Sequence, residues 1–237
     1  MKCSAERLIE ALIGVELAEQ RKATEQQASM TRKATYVVTV SRGYGSLGKQ
    51  VAQSLAERLG VRCCDRDILE EVAKRAAVDL ELVAKLDENV RHAGIEPWKA
   101  FFTGKSLSEQ RYLEHLGKVI MNISRTGGVI IGRGAHMILG PRKAFRVRVI
   151  GSLDACAARI AEREQLDLEA ARQRVRTIDN QRAGYLQKHY GVDIADCSVY
   201  DLVINSDRFN VQQIVDLILG GMRQAGYEIT PEILQHT

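Results

Sequence analysis

A chain of 237 residues with 45% hydrophobic and 27% charged residues has enough apolar material for a packed core, which excludes a disordered protein. Lys and Arg outnumber Asp and Glu by 34 to 30, a formal +4 that suits an anionic ligand without demanding nucleic acid. No apolar run reaches the roughly 18 residues of a membrane span. The five cysteines form no CxxC pair and the five histidines no metal spacing, so a reduced cytoplasmic setting is expected, with no structural zinc and no disulfide framework.

Residues 1–34 are expected to form an N-terminal helical extension. Leu8, Leu12, Val15 and Ala18 recur at helical spacing, and a stretch rich in Glu, Gln and Lys follows. Glu6 and Glu10 sit among the apolar residues, unlike a secretory signal. One amphipathic stripe cannot bury itself, so it packs on the rest of the chain or on a second copy in a homo-oligomer; a mobile tail is the alternative. The main domain is expected over 35–225, with 226–237 as a C-terminal tail.

Within that domain, Tyr36–Val40 reads as a buried strand, Gly43–Gly48 as a glycine-rich turn, and Val51, Leu55 and Leu59 as a helix closed by Gly60. A second strand is expected at Val61–Cys64, then helices over Ile68–Ala77 and Leu80–Asn89, then a connection over 90–105. Ser106 and Glu109 match a capping box for a helix carrying Tyr112, Leu113, Leu116, Val119, Ile120 and Ile123. Gly127–Gly128 stops it. Strands follow at Val129–Ile131, Phe145–Ile150 and Leu202–Asn205. Ser152 and Asp167 are placed to cap two helices, and a last helix is expected over Val211–Arg223. Strands alternating with helices predict an α/β fold: a parallel five-stranded sheet in a three-layer α/β/α sandwich.

Gly43-Tyr-Gly-Ser-Leu-Gly48-Lys49 fits G-x-x-x-x-G-K between a buried strand and a helix N-terminus. Glycines let backbone N–H groups turn inward around an anion, and the helix dipole adds positive potential there. Gly43, Gly45, Ser46, Leu47, Gly48, Lys49 and Gln50 are therefore the candidate ATP-binding residues, with Lys49 reaching the outer phosphates. A solvated Lys49 on a tight turn is the plainer alternative. Gln50 stands where the motif expects a Ser or Thr to ligate Mg²⁺, so Mg²⁺ is expected to arrive with the nucleotide, keeping most of its waters.

Four stretches in one order make the chain resemble the cytidylate kinase-like family: Val40-Ser-Arg-Gly-Tyr-Gly-Ser-Leu-Gly-Lys49, Cys64-Asp-Arg-Asp-Ile-Leu69, Ile130-Ile-Gly-Arg-Gly-Ala135 and Tyr200-Asp-Leu-Val-Ile-Asn205. The resemblance spans about 35 to 220. It implies a P-loop kinase core, an acceptor-binding insert near 66–125 and an arginine-rich lid near 160–190. It also implies ATP as phosphate donor and a nucleoside monophosphate, CMP-like, or another small molecule as acceptor. Arg133 would hold the acceptor's phosphate, while Ile131 and Gly134 stand where true cytidylate kinases carry Asp. Ser206–Phe209 would flank the adenine.

Asp65 follows the second strand at the sheet edge where open α/β folds bind ligands. It either accepts a hydrogen bond from the acceptor, as the resemblance implies, or caps the helix from Ile68, for which Asp67 is the better candidate. Arg159, Arg163, Arg172, Arg174, Arg176 and Arg182 crowd two helices. A solvated basic face paired with Glu162, Glu164 and Glu169 is the plain reading. By resemblance Arg163 and Arg182 are the lid arginines that neutralise the moving phosphoryl group. Asp179, Arg182 and Tyr185 share a face, with Tyr185 read as packing, and Trp98 with Phe101–Phe102 reads as core or as an acceptor wall. The expected activity is ATP-dependent phosphoryl transfer with Lys49, Arg163 and Arg182 as catalytic residues; a catalytically silent nucleotide-binding regulatory module is the alternative.

Overall fold

Val37, Val38 and Val40 are nearly solvent-free, so β1 (Val37–Arg42) is covered on both faces, as the central strand of a parallel sheet must be. The computed structural model describes residues 36–65, 67, 69 and 107–234. The N-terminal extension, most of the two helices expected over 68–89, the connection with Trp98 and Phe101–Phe102, and the box built on Ser106 lie outside the described residues.

After β1 come α1 (Gly48–Arg58), β2 (Cys63–Cys64), α2 (Leu107–Thr126), β3 (Gly128–Ile131) and α3 (Ala135–Lys143). Then follow β4 (Phe145–Ile150), α4 (Leu153–Glu164), α5 (Leu168–Tyr190), β5 (Leu202–Asn205), α6 (Val211–Gln224) and α7 (Pro231–Leu234). The five strands pair in the order β2-β3-β1-β4-β5, all parallel. Val38 sits opposite Val129 on one side and Phe145 on the other, and Val40 opposite Ile131 and Val147.

The period of two along each strand sends alternate residues into two cores. Val37, Cys64 and Ile130 join the α2–α3 layer of Leu113, Leu116, Ile120, Ile138 and Leu139. Val38, Val40, Val129, Ile131, Val147 and Val149 meet α1 and α6 through Val51, Leu55, Ile214, Val215, Ile218 and Leu219. Helices thus cover both sheet faces, giving the expected three layers.

A smaller third cluster, Cys156, Ala157, Ile160, Ala171 and Val175, zips α4 against α5. The two caps expected for this hairpin are present: the Ser152 hydroxyl accepts from Ala155 N at 3.3 Å, and the Asp167 carboxylate accepts from Ala170 N at 2.8 Å. Residues 227–234 return to the core, where Arg58 donates to the carbonyls of Ile233 at 2.8 Å and Leu234 at 3.1 Å.

Some boundaries differ from the sequence reading. β1 begins one residue later than expected and runs on to Arg42, because pairing with β4 continues through Arg42 and Val149. β2 shrinks to Cys63–Cys64, which among the described residues pairs with β3 alone. Helix α3 was not anticipated: its nine residues contain Pro141 and a non-helical Gly140, which mask the periodicity. Among the described residues no helix is long and apolar enough to cross a membrane.

Candidate active site

The carboxyl ends of β1, β2 and β3 open onto one cavity of about 600 Å³. Ser41, Arg42, Tyr44 and Lys49 form its phosphate-loop side. Asp65, Asp67 and the Gly132-Arg133-Gly134 turn face them, and α5 closes it with Arg174, Thr177, Ile178, Gln181, Arg182 and Tyr185. The α5 residues fall at the spacing of one helical face.

The loop between β1 and α1 is stitched down by its own hydrogen bonds. Gly43 N donates to Val149 O at 2.9 Å, and the fully buried Ser46 hydroxyl is shared between Gly43 O and Val149 O. Ser46 therefore has only its backbone N–H to offer a phosphate. Gly45 has φ +82°, and a Cβ there would meet the Cys156 carbonyl oxygen at 2.6 Å, so the loop can approach α4 only with glycine at this position. Leu47, the N-cap of α1, is left-handed at φ 64° and makes no side-chain capping bond. The first amides of α1 thus receive no cap from the Leu47 side chain, and they form the positive end of the helix dipole. Gly48 is buried there, while Lys49 and Gln50 are exposed beside it.

Lys49 Nζ lies 3.5 Å from Asp65 Oδ2, which brings the loop lysine and the β2 carboxylate together. The other oxygen of Asp65 accepts from Asp67 N at 3.2 Å, and Asp65 O accepts from Leu69 N at 3.0 Å. The capping role expected of Asp67 therefore falls to Asp65, which faces Lys49 at the same time. Across the cavity, Gly132, Arg133 and Gly134 all have positive φ, at 76°, 52° and 68°. For Arg133 this left-handed backbone costs on the order of 1 kcal/mol and is held by its surroundings: Tyr190 OH donates to its carbonyl at 2.9 Å and its guanidinium lies 4.7 Å from the Tyr185 ring. Tyr185 thus does more than pack. A Cβ on Gly134 would fall 2.2 Å from the Tyr190 ring, so the aspartate that the resemblance would place here has no room.

The arginines separate into distinct groups. Arg182 Nη1 donates to Arg42 O at 3.0 Å and to Asp179 at 3.3 Å, at the cavity rim. Arg163, half exposed, pairs with Glu164 at 2.6 Å and donates to Tyr44 OH at 2.8 Å. Both lie over the phosphate loop. Arg174 pairs with Glu164 at 3.7 Å. Arg159 instead joins the loop to the segment after β5, donating to Gly45 O at 3.1 Å, Ser206 Oγ at 3.2 Å and Ser206 O at 2.8 Å. Arg172 is a surface residue paired with Asp154 and Glu169. Asp179, held by Tyr44 N at 2.8 Å, has its carboxyl pushed up by burial against the opposing pull of that amide and of Arg182.

His136 went unnoticed in the sequence, where a lone histidine carries no signal. It lines the cavity although only 4% exposed, and its ring stacks on Tyr200 at 5.0 Å. Burial first, then the charges of Arg146 and Arg148, bring its pKa down to about 4. The unfolded chain takes up this proton below about pH 6.5, the folded chain only near 4, so stability falls as pH drops through that window. Between pH 7 and 5 this amounts to about 2 kcal/mol. His136→Phe is expected to lose about that much less than the wild type when denaturant unfolding is measured at the two pH values; equal losses would contradict it.

The oxygen donors nearest the loop are the Ser46 hydroxyl and, across the cavity, the Asp65 and Asp67 carboxylates. Among the described residues there is no cluster of three metal-ligating side chains, and the Ser46 hydroxyl is already engaged by two carbonyls.

The family model of the cytidylate kinase-like family matches residues 37–208. Cytidylate kinase of Methanopyrus kandleri is 28% identical over 184 residues, covering 77% of this chain and 90% of that protein. Cytidylate kinase of Methanothermobacter thermautotrophicus is 25% identical over 177 residues, covering 74% and 98%. An uncharacterized protein from Eubacterium ventriosum shares the fold, with a TM-score of 0.62 at 21% identity, over 80% of this chain and 99% of that one. The match runs from the first residue of β1 past the end of β5, and with it the chain belongs to the cytidylate kinase-like family and is a P-loop phosphotransferase.

Proposed function

We propose that the chain transfers the γ-phosphate of ATP to a nucleoside monophosphate of the CMP type. The observation that carries this reading is the convergence of Lys49, Asp65, Arg133 and Arg182 on one cavity at the carboxyl edge of the sheet. A second anion beside the loop-bound nucleotide would find Arg133 and Arg182 there, and a sugar hydroxyl would find the Asp65 carboxylate. The cytidylate kinases it resembles support the choice of acceptor class.

In the transfer, an oxygen of the acceptor's phosphate forms a bond to the γ-phosphorus as the bond from that phosphorus to the β–γ bridging oxygen breaks, and ADP leaves with that electron pair. Little covalent chemistry falls to the protein; positioning and charge neutralisation do the work. Loop amides hold the donor phosphates, Lys49 bridges the outer ones, and Arg182 on the cavity wall, with Arg163 outside it beside Tyr44, would offset charge on the moving group. Mg²⁺ carried by the nucleotide supplies further neutralisation. The α5 residues line the cavity, and their closing over it would keep out water, which would otherwise take the phosphoryl group.

Arg133→Ala and Asp65→Ala are expected to raise the acceptor KM or lower kcat by about tenfold or more, the loss of one charge-assisted contact, with ATP affinity nearly unchanged. Steady-state kinetics beside calorimetric ATP titration test this. Weakened ATP binding with intact acceptor kinetics would place both residues on the donor side.

A further inference from the structure

The phosphate loop carries an aromatic residue whose side chain faces the arginine hairpin. Tyr44 packs into the cluster of Cys156, Ala157, Ile160, Ala171 and Val175 that joins α4 to α5. Its hydroxyl donates to Glu164 Oε1 and accepts from Arg163 Nη2 at 2.8 Å. The guanidinium carbons of Arg163 and Arg182 lie 5.1 Å and 5.5 Å from the centre of its ring. Glu164 in turn holds Arg163 at 2.6 Å and Arg174 at 3.7 Å. The backbone N–H of Tyr44 donates to Asp179 at 2.8 Å, and the same carboxylate oxygen takes Arg182 at 3.3 Å. A single loop residue therefore touches both arginines and both of the carboxylates that hold them.

We infer that Tyr44 is the positioning residue of the lid, fixing Arg163 and Arg182 over the phosphate loop before a nucleotide arrives, with Glu164 as a stand-in anion that a phosphate displaces. The catalytic consequence rests on the proposed phosphoryl transfer; the positioning itself does not. Long arginine side chains lose rotamer freedom whenever they are ordered. A ring that stacks on two guanidinium groups and a hydroxyl that bonds one of them remove that cost from the closing step. The Glu164 carboxyl is held below its usual range by the hydrogen bonds from Tyr44 and Arg163, so it stays ionised as a surrogate for phosphate oxygen. The loop position suits this use because a phosphate loop binds through its backbone, which leaves the side chain at 44 available for another task.

The test is hydrogen exchange of the full-length, ligand-free protein, comparing wild type with Tyr44→Phe and Tyr44→Ala. The Phe variant keeps the ring and loses both hydroxyl bonds; the Ala variant loses the ring as well. Amides across 160–182 are expected to exchange roughly tenfold faster in Tyr44→Phe and faster again in Tyr44→Ala, while peptides from β3 and α6 keep their rates. In turnover, Tyr44→Phe is expected to lower kcat about tenfold with ATP Kd changed less than about threefold. Lid exchange at the wild-type rate in both variants overturns the inference, and so does equal acceleration throughout the core. If the wild type transfers no phosphate, the proposed function fails, and the exchange rates still decide the role of Tyr44.

Discussion

Lys49→Ala is expected to lower kcat/KM by on the order of a hundredfold or more, with almost no loss of stability. Lys49 Nζ is 3.5 Å from Asp65, yet its side chain is 61% exposed, so the pair is a solvent-screened one. Exposed pairs of this kind contribute about 0–1 kcal/mol to folding. The large effect comes from elsewhere. A cation that bridges the outer phosphates gains most as charge shifts during transfer, and losing such a partner costs several kcal/mol of transition-state stabilisation, in the range of about 2.7–4. Steady-state kinetics with a thermal melt as control separate the two effects. Full activity in the variant would remove Lys49 from the site.

Arg182→Gln is expected to cost about 10³ in kcat, and Arg163→Gln a measurable fraction of that, with ATP Kd altered far less. The difference follows from geometry. Arg182 lines the cavity, and its Nη1 donates to both the Arg42 carbonyl and Asp179. Arg163 is half exposed and reaches the loop through Tyr44 and Glu164. Glutamine is a good helix former, so α4 and α5 should persist in both variants. Measuring kcat beside ATP Kd, with far-UV circular dichroism as folding control, checks the point. If both variants keep wild-type kcat, the arginines belong to a solvated basic face and not to the transfer site.

Much of this fold was legible because its signals are local. The buried valines of β1, the glycine turn and the capping residues Ser152 and Asp167 each carry their own chemistry within a few residues. The site was legible in part for the same reason: Lys49 and Arg133 sit in short motifs, and the helical spacing of α5 placed Arg182 and Tyr185 on one face. What escaped the sequence depends on contacts between distant segments. Tyr44 and Glu164 are 120 residues apart, and nothing near either one announces the hydrogen bond between them. His136 matters only because Tyr200 covers it and two arginines stand close by. Gly134 reads in the sequence as a lost carboxylate; in the folded chain the ring of Tyr190, 56 residues on, leaves no space for one. Helix α3 was hidden by its own Gly140-Pro141 break, which ends the periodicity before a full helical signature accumulates.

The phosphate lost by ATP is expected to appear on a nucleoside monophosphate. The most direct measurement incubates the wild-type protein with ATP labelled at the γ position, Mg²⁺ and each nucleoside monophosphate in turn, and follows where the label goes. Label is expected in a nucleoside diphosphate, with CMP among the best acceptors, at a rate well above the release of free phosphate. Tight ATP binding with no labelled diphosphate from any of them, or with free phosphate as the sole labelled product, would contradict it.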